Sequence, residues 1–328
     1  MKICVYFQPK LKFDNFEGTR LRKSIKGALE LRNIPYAKNI VDTYNILHFC
    51  SLEDETKILD AKDAKVPTVF SACTAETDKF TRIFHVVNGV PTIDNRALRV
   101  LNKVDVILVN DETSKKMLQD NGITSRIEIV PVGIKTSRFR PMYGIEDKLF
   151  NHYFQLDDDA KFIVCGGTFE DKDRFESLIK IASLCPKYRF FYFGPSTKRH
   201  PYRKRKIPLN LSFHSLINDE LYCSMLKQAS IYLAFDNRRH SILPLMDAVA
   251  SKTQIVALEP AGLNEEILRD TKAYVMYNEE MVADTINKLI EGELESHVEE
   301  AYKFATTNSL EAFGLSLEKI YSSLLKEK

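Results

Sequence analysis

The sequence predicts an open α/β protein with two doubly wound, parallel-sheet domains. Short apolar runs, rich in β-branched and aromatic residues, recur along the 328 residues, and each is followed by a segment with helical periodicity. These runs are residues 2–7, 45–50, 67–72, 105–110, 161–166, 189–194, 230–235 and 254–259. Strands that are apolar on both faces are typical of parallel sheets covered by helices. A chain of this length is also long enough for about two domains.

The first helix in this pattern is amphipathic and basic. Residues 18–33 place Leu21, Ile25, Ala28 and Leu29 on one stripe, which predicts that this face packs on the first sheet. The basic residues of the same segment lie off the stripe, and they are Arg20, Arg22, Lys23, Lys26 and Arg32.

A segment rich in helix and strand breakers, residues 127–144, separates the two series of strands. Its breakers are Pro131, Gly133, Pro141 and Gly144. We therefore expect two Rossmann-like halves that face each other across a cleft, a first domain of residues 1–140 and a second domain of residues 141–308. The stretch from residue 293 onward has a helical pattern without a strand, and we expect its last part, residues 309–328, to cross back onto the first domain.

Composition and charge exclude several classes of protein. With 44% hydrophobic and 28% charged residues, the chain is not collagen-like, coiled-coil or disordered. A net charge of +2 predicts no affinity for nucleic acid. The first 140 residues include 23 basic and 17 acidic residues. This basic excess either indicates contact with an anionic membrane surface through residues 10–32 or reflects chance clustering. A basic run at residues 198–208 is either a solvated loop or a surface for phosphate or lipid headgroups.

Cysteine usage and hydropathy indicate the compartment. The six cysteines form no C-x-x-C pair and have no His-rich neighbour, so neither a zinc site nor a disulfide framework is predicted. Reduced thiols are the simplest state, as in the cytosol. The sequence contains no apolar run of ~18 residues and no signal-peptide core. We expect a cytoplasmic protein, with the inner face of the plasma membrane as the place of any peripheral attachment.

Several segments carry a resemblance to a known family. Residues 104–141 have the pattern of a strand, a helix, a second strand and a linker. Residues 162–194 contain a Gly-Gly turn followed by Glu-Asp-Lys-Asp. Residues 230–268 contain a strand with a polar end, and an apolar helix comes after it. Together with residues 44–51, they resemble the retaining glycosyltransferases of family 4, which have the two-domain GT-B fold. The resemblance implies a hexosyltransferase whose donor is a nucleotide sugar, expected to be linked to uridine diphosphate (UDP), and which needs no metal ion or other cofactor.

The same resemblance assigns the two domains and leaves alternatives for the activity. It implies that the first domain binds the acceptor and that the second domain binds the nucleotide-sugar donor. The acceptor would be lipid-linked, a glycolipid or a polysaccharide precursor. One alternative is a catalytically silent GT-B partner or chaperone of an active transferase. Another two-Rossmann enzyme, such as a sugar-nucleotide epimerase, fits residues 127–144 and 230–268 poorly.

Three charged residues are the catalytic candidates, because a departing nucleoside diphosphate develops negative charge that fixed cations or N–H groups must neutralise. Lys172 matches the family lysine that reaches the diphosphate; alternatively it is a surface lysine at a helix start. Asp247 matches the second acidic residue of an E-x7-E motif, which holds the donor ribose; alternatively it forms an internal cap or salt bridge. Arg239 stands at the first acidic position, where it either grips a phosphate or marks a site that has lost activity.

The remaining candidates would line the donor with backbone groups or helix starts. Gly166 and Gly167 would let the main chain approach a phosphate, unless they form only a tight turn. The positions implied by the resemblance or by their place at a helix start are Gly18, Gly194, Ser215, Leu216, Ser241, Ile242, Leu243 and Glu266.

Overall fold

A computed structural model describes most of the chain and divides it into two compact units. The described residues are 1–6, 17–50, 52, 55–71, 83–87, 90–139, 148–166, 172–194, 206–214, 217–235, 243–258 and 265–327. One unit takes in residues 1–135 and 307–328, and the other takes in residues 136–306. The division lies five residues before the expected boundary at residue 140, because residues 136–139 contact helices of the second unit.

The first unit is built on a parallel sheet. Its elements up to the boundary are β1 (Ile3–Tyr6), α1 (Glu17–Leu31), β2 (Ile46–Phe49), α2 (Glu55–Asp63), β3 (Thr68–Ser71), β4 (Phe84–Val87), β5 (Val90–Ile93), α3 (Asn95–Leu101), β6 (Val106–Val109), α4 (Glu112–Asp120) and β7 (Arg126–Ile129). The described sheet has the order β1-β2-β3-β6-β7, with every neighbouring pair parallel, whereas β4 and β5 form an antiparallel hairpin. An isolated parallel bridge also pairs Tyr36 with Ile3 of β1.

The second unit has a parallel sheet of its own. It begins with a 3-10 turn (Thr136–Phe139), and its further elements are α5 (Leu149–Tyr153), β8 (Phe162–Gly166), α6 (Lys172–Leu184), β9 (Arg189–Phe193), β10 (Leu211–His214), α7 (Asp219–Gln228), β11 (Ile231–Phe235), α8 (Leu243–Ala250), β12 (Gln254–Leu258), α9 (Glu265–Asp270), β13 (Tyr274–Met276), α10 (Glu279–Glu291) and α11 (Val298–Thr307). The described strands have the order β10-β9-β8-β11-β12-β13, all parallel, so the direction of winding reverses between β8 and β11. Helix α12 (Leu310–Lys326) follows in the first unit.

The predicted fold class, α/β with two parallel-sheet domains, is confirmed. Each of the apolar runs named from the sequence contains a strand of one of the two sheets. The sequence pattern did not predict β10 or β13, which lie at sheet edges and are only partly buried. Strand β10 carries Ser212 and His214 and so lacks the continuous apolar run that marks a central strand, whereas β13 is apolar but only three residues long.

Helix α1 packs on the sheet of the first unit through the predicted stripe. Leu21, Ile25, Ala28 and Leu29 are buried in one core that α12 also enters. The two helices approach closely at Gly314, because a Cβ atom there would lie 2.8 Å from the carbonyl oxygen of Ala28. The C-terminal helix is therefore an integral part of the first unit.

The basic face of α1 differs from the open surface that its sequence indicates. Arg22 donates from Nε to a carbonyl of β1 at 3.1 Å, and Lys26 Nζ lies 4.7 Å from the centre of the Tyr36 ring. Arg32 forms an ion pair with Glu318 of α12 at 2.8 Å. At least three of the five cations thus make contacts within the unit, so the membrane surface predicted for this region has less exposed charge than its sequence indicates. In the part of the chain described here, no helix has both the length and the apolar character needed to cross a membrane.

A buried histidine connects α12 to the sheet. His48 in β2 is 0% exposed, with Nδ1 2.6 Å from the hydroxyl of Tyr321 and Nε2 2.7 Å from the hydroxyl of Ser71. Burial lowers the pKa of His48 to about 3, so the ring is neutral at physiological pH. Each ring nitrogen has a hydroxyl partner, which satisfies the imidazole in the core.

Replacing Tyr321 by phenylalanine leaves one ring nitrogen of His48 without its hydroxyl partner. We expect Tyr321→Phe to lower the free energy of unfolding by about 1–3 kcal/mol, the typical cost of an unsatisfied buried polar group. Tyr153→Phe is the control, since Tyr153 is 67% exposed. Urea titrations measure both; equal stability of the two variants would contradict the structural role of the Tyr321 hydroxyl.

His48 also predicts a pH dependence of stability. The folded ring stays neutral, whereas the unfolded histidine takes up a proton near its ordinary pKa of 6.5. The contribution of the neutral His48 ring to the free energy of unfolding is therefore complete above pH 6.5. It is lost as the pH falls from 6.5 toward 3, by up to about 1.4 kcal/mol per pH unit. His48→Gln should flatten this slope in unfolding titrations between pH 7 and pH 5. An unchanged slope would show that other groups cause the acid sensitivity.

Candidate functional site

The carboxyl edge of the second sheet is the candidate site. Strand β8 ends at Gly166, β10 ends at His214 and β11 ends at Phe235, while α6, α7 and α8 each begin at this edge. In open α/β sheets, ligands bind outside the carboxyl ends of the strands where the winding direction reverses. That point lies between β8 and β11.

Two of the predicted glycines lie together at this edge. A Cβ atom on Gly166 would lie 3.3 Å from the carbonyl oxygen of Phe193, so a side chain there would press on the end of β9. Gly194 follows β9 directly, is buried, and donates its N–H to the carbonyl of His214 at 3.1 Å. The ends of β8, β9 and β10 therefore pack closely, backbone to backbone.

Arg174 is a residue of this edge that the sequence analysis missed. Its side chain leaves α6 and donates from Nη2 to the carbonyl of Gly166 at 2.7 Å. The guanidinium carbon lies 4.9 Å from the ring centre of Phe235 and 5.8 Å from that of Tyr192. Arg174 thus spans the reversal point between β8 and β11, with 5% of its surface exposed. An arginine keeps its proton in proteins, so this is a fixed positive charge.

A signal for Arg174 is present in the sequence. It stands four residues before Leu178 and seven before Ile181, both of which are fully buried. That spacing places the arginine on the apolar stripe of α6, which faces the sheet. A cation on a buried stripe is unusual and indicates a specific role.

The predicted phosphate ligand Lys172 begins the same helix. It is the first residue of α6, two positions before Arg174, so its backbone lies at the carboxyl edge. Its side chain is outside the described part of the structure. Its contact with a phosphate therefore stays a prediction.

Asp247 lies in a cluster of charged and aromatic residues. Its Oδ2 atom accepts a hydrogen bond from the Tyr222 hydroxyl at 3.0 Å and another from Arg138 Nη1 at 3.2 Å. Arg138 also binds both carboxylate oxygens of Asp219, the first residue of α7. The salt bridge that the sequence left open as an alternative for Asp247 is present, and ribose binding by the same carboxylate stays a prediction.

Two aromatic rings also lie beside Arg138. Its guanidinium carbon lies 5.4 Å from the centre of the Phe139 ring and 5.2 Å from that of Tyr222. Burial acts to lower the pKa of Arg138, but Asp247 and Asp219 outweigh it and raise that pKa above its usual range. In the sequence, this arginine falls within a predicted linker, because the prolines and glycines around it dominate the pattern.

The other predicted positions are distributed over both units or lie outside the described residues. Leu243 is the first residue of α8 and is buried, and Glu266 lies half-buried in α9. Gly18 is the second residue of α1, in the first unit. The positions outside the described residues are Gly167, Ser215, Leu216, Arg239, Ser241 and Ile242. Among the residues described, no group of three or more His, Cys, Asp or Glu side chains is placed to hold a metal ion.

The chain is similar in sequence to one curated protein over its whole length. No family model matches the chain. The processive diacylglycerol α-glucosyltransferase of Acholeplasma laidlawii is 21% identical over 335 residues, an alignment that covers 100% of both chains.

Two solved structures match over nearly the whole chain. HepE from Anabaena, in complex with UDP-glucose, has a TM-score of 0.73 and 12% identity and covers 98% of this chain and 100% of its own. A glycosyltransferase from Rickettsia africae has a TM-score of 0.70 and 13% identity and covers 100% of this chain and 99% of its own. These likenesses confirm the predicted GT-B fold class, with two parallel-sheet α/β domains.

The two carboxylates that bind Arg138 should differ in their contribution to stability. Asp247 is 14% exposed at its side chain and Asp219 is 72% exposed. Asp247→Asn leaves the partly buried guanidinium without the less exposed of its two counter-charges, so we expect a loss of at least about 2 kcal/mol of unfolding free energy. Asp219→Asn should cost under about 1 kcal/mol, because water screens an exposed pair. Chemical denaturation distinguishes the two, and a larger loss for Asp219→Asn would contradict this order.

Proposed function

We propose that the chain is a retaining hexosyltransferase of glycosyltransferase family 4, which transfers a sugar from a UDP-linked donor to a diacylglycerol or glycolipid acceptor. The second unit would bind the donor and the first unit would bind the acceptor. The reaction would take place at the cytoplasmic face of the membrane and would need no metal ion.

The donor half of this proposal is carried by one observation, the fixed charge of Arg174 at the reversal point of the second sheet. Gly166 and Gly194 keep the strand ends beside it free of side chains. A positive, backbone-lined strand edge at the start of a helix suits a diphosphate. The likeness of fold to a protein in complex with UDP-glucose supports the same ligand class.

The acceptor half is supported by the curated relative. A diacylglycerol glucosyltransferase aligns with this chain from end to end, and the two chains are similar in length. The basic excess of the first 140 residues suits a membrane surface. Because Arg22, Lys26 and Arg32 already make contacts within the unit, residues 198–208 become the stronger basic candidate for lipid headgroups.

The chemistry follows from the charges at the edge of the second sheet. Loss of the sugar places negative charge on the leaving diphosphate, which positive groups must stabilise more strongly in the transition state than in the bound donor. Lys172 would contact the phosphates from the first position of α6. Arg174 would add a fixed charge two residues further on, and Arg239 is a further candidate for the same role.

Transfer to lipid vesicles tests the proposal. Vesicles of diacylglycerol and phosphatidylglycerol, incubated with the protein and radiolabelled UDP-glucose, should yield a glycolipid, and an α-linked product would support retention. UDP binding measured by calorimetry without transfer to any acceptor would support a silent partner protein. Absence of binding to every nucleoside diphosphate would contradict the proposal.

Lys172→Ala should weaken UDP binding about tenfold or more, the typical effect of losing a hydrogen bond to a charged group. Lys161→Ala is the matched control, because Lys161 is exposed and precedes β8 at the opposite edge of the same sheet. Calorimetry should give equal UDP affinity for Lys161→Ala and the unmodified protein. Equal affinity for Lys172→Ala would remove Lys172 from the donor site.

A further inference from the structure

We propose that Arg138 and Tyr222 are positioning residues that orient the Asp247 carboxylate toward the ribose hydroxyls of the donor nucleotide. This inference rests on the donor half of the proposed function and deepens it. It assigns a role to a tyrosine of α7 and to an arginine at the very start of the second unit.

Two hydrogen bonds converge on one oxygen atom of Asp247. Tyr222 and Arg138 belong to different elements, yet both donate to Oδ2 of Asp247, at 3.0 Å and 3.2 Å. Hydrogen bonds to an ionised carboxylate are stronger than those between neutral groups. Two of them on the same oxygen restrict rotation of the carboxylate about its side-chain torsions.

Arg138 is itself held in place by several contacts. Asp219 binds two of its nitrogens, and aromatic rings lie within 5.4 Å of its guanidinium carbon. A swing of Arg138 away from Asp247 would break the contacts with Asp219 as well. The arginine is therefore a fixed support for Asp247 and not a mobile surface cation.

The cluster lies on helices that begin at the candidate site. Asp219 begins α7 and Asp247 is the fifth residue of α8, and both helices start at the carboxyl edge where a donor would bind. With 14% of its side chain exposed, Asp247 remains within reach of a ligand.

A comparison of two ligands separates positioning from general stability. Calorimetry with UDP and with 2′,3′-dideoxy-UDP, which lacks both ribose hydroxyls, gives a ratio of affinities that measures ribose recognition. The unmodified protein should prefer UDP about tenfold or more. Tyr222→Phe keeps the ring beside Arg138 and removes only the hydroxyl. It should reduce the ratio at least about threefold and leave the affinity for 2′,3′-dideoxy-UDP unchanged.

Further variants test whether the effect passes through Asp247. Arg138→Lys should reduce the same ratio, whereas Tyr153→Phe, on the exposed surface of α5, should leave it unchanged. In an Asp247→Asn background, Tyr222→Phe should have no additional effect, because the group that it orients has lost its charge.

The outcomes that overturn the inference are distinct from those that overturn the proposed function. An unchanged ratio in Tyr222→Phe and Arg138→Lys would overturn the positioning role while the donor proposal stands. Equal affinity of the unmodified protein for UDP and 2′,3′-dideoxy-UDP would remove ribose recognition, and the inference with it. If UDP does not bind at all, the donor half of the proposed function fails, and the inference fails together with it.

Discussion

The parallel arrangement of the strands is the constraint on which the rest of the structure depends. Strands that all run in one direction must be joined by crossovers, so the helix that follows a strand begins at the carboxyl edge of the sheet. In the second unit, this rule brings the starts of α6, α7 and α8 to the same edge. The residues that carry the candidate chemistry come from distant parts of the sequence and meet there for this topological reason.

Polar side chains hold each unit together in a different way. In the first unit, a neutral histidine with two hydroxyl partners fixes the C-terminal helix to the sheet. In the second unit, Arg138 holds two helices through their carboxylates, and Arg174 rests on a carbonyl and two aromatic rings. Both arginines keep their charge at every physiological pH, so their fields are permanent features of the second unit.

The sequence predicted the central strands, the α1 stripe and two glycines of the candidate site, because apolar periodicity and residue type carry that information locally. It missed β10 and β13, since an edge strand is only half covered. It also missed Arg138 and Arg174. Whether a basic residue points to water or into the protein depends on contacts with distant residues, such as Asp247 and Phe235. The local pattern contains no record of these contacts, although the position of Arg174 on the apolar stripe of α6 does indicate that its side chain faces the sheet.

A crystal structure of the chain with UDP tests the central claim, that the carboxyl edge of the second sheet is the donor site, most directly. The account predicts the diphosphate beside the end of β8 and the start of α6, with a ribose hydroxyl within hydrogen-bond distance of Asp247. Tyr222 and Arg138 should keep their contacts with that carboxylate. UDP bound away from this edge, or a ribose turned away from Asp247, would contradict the account.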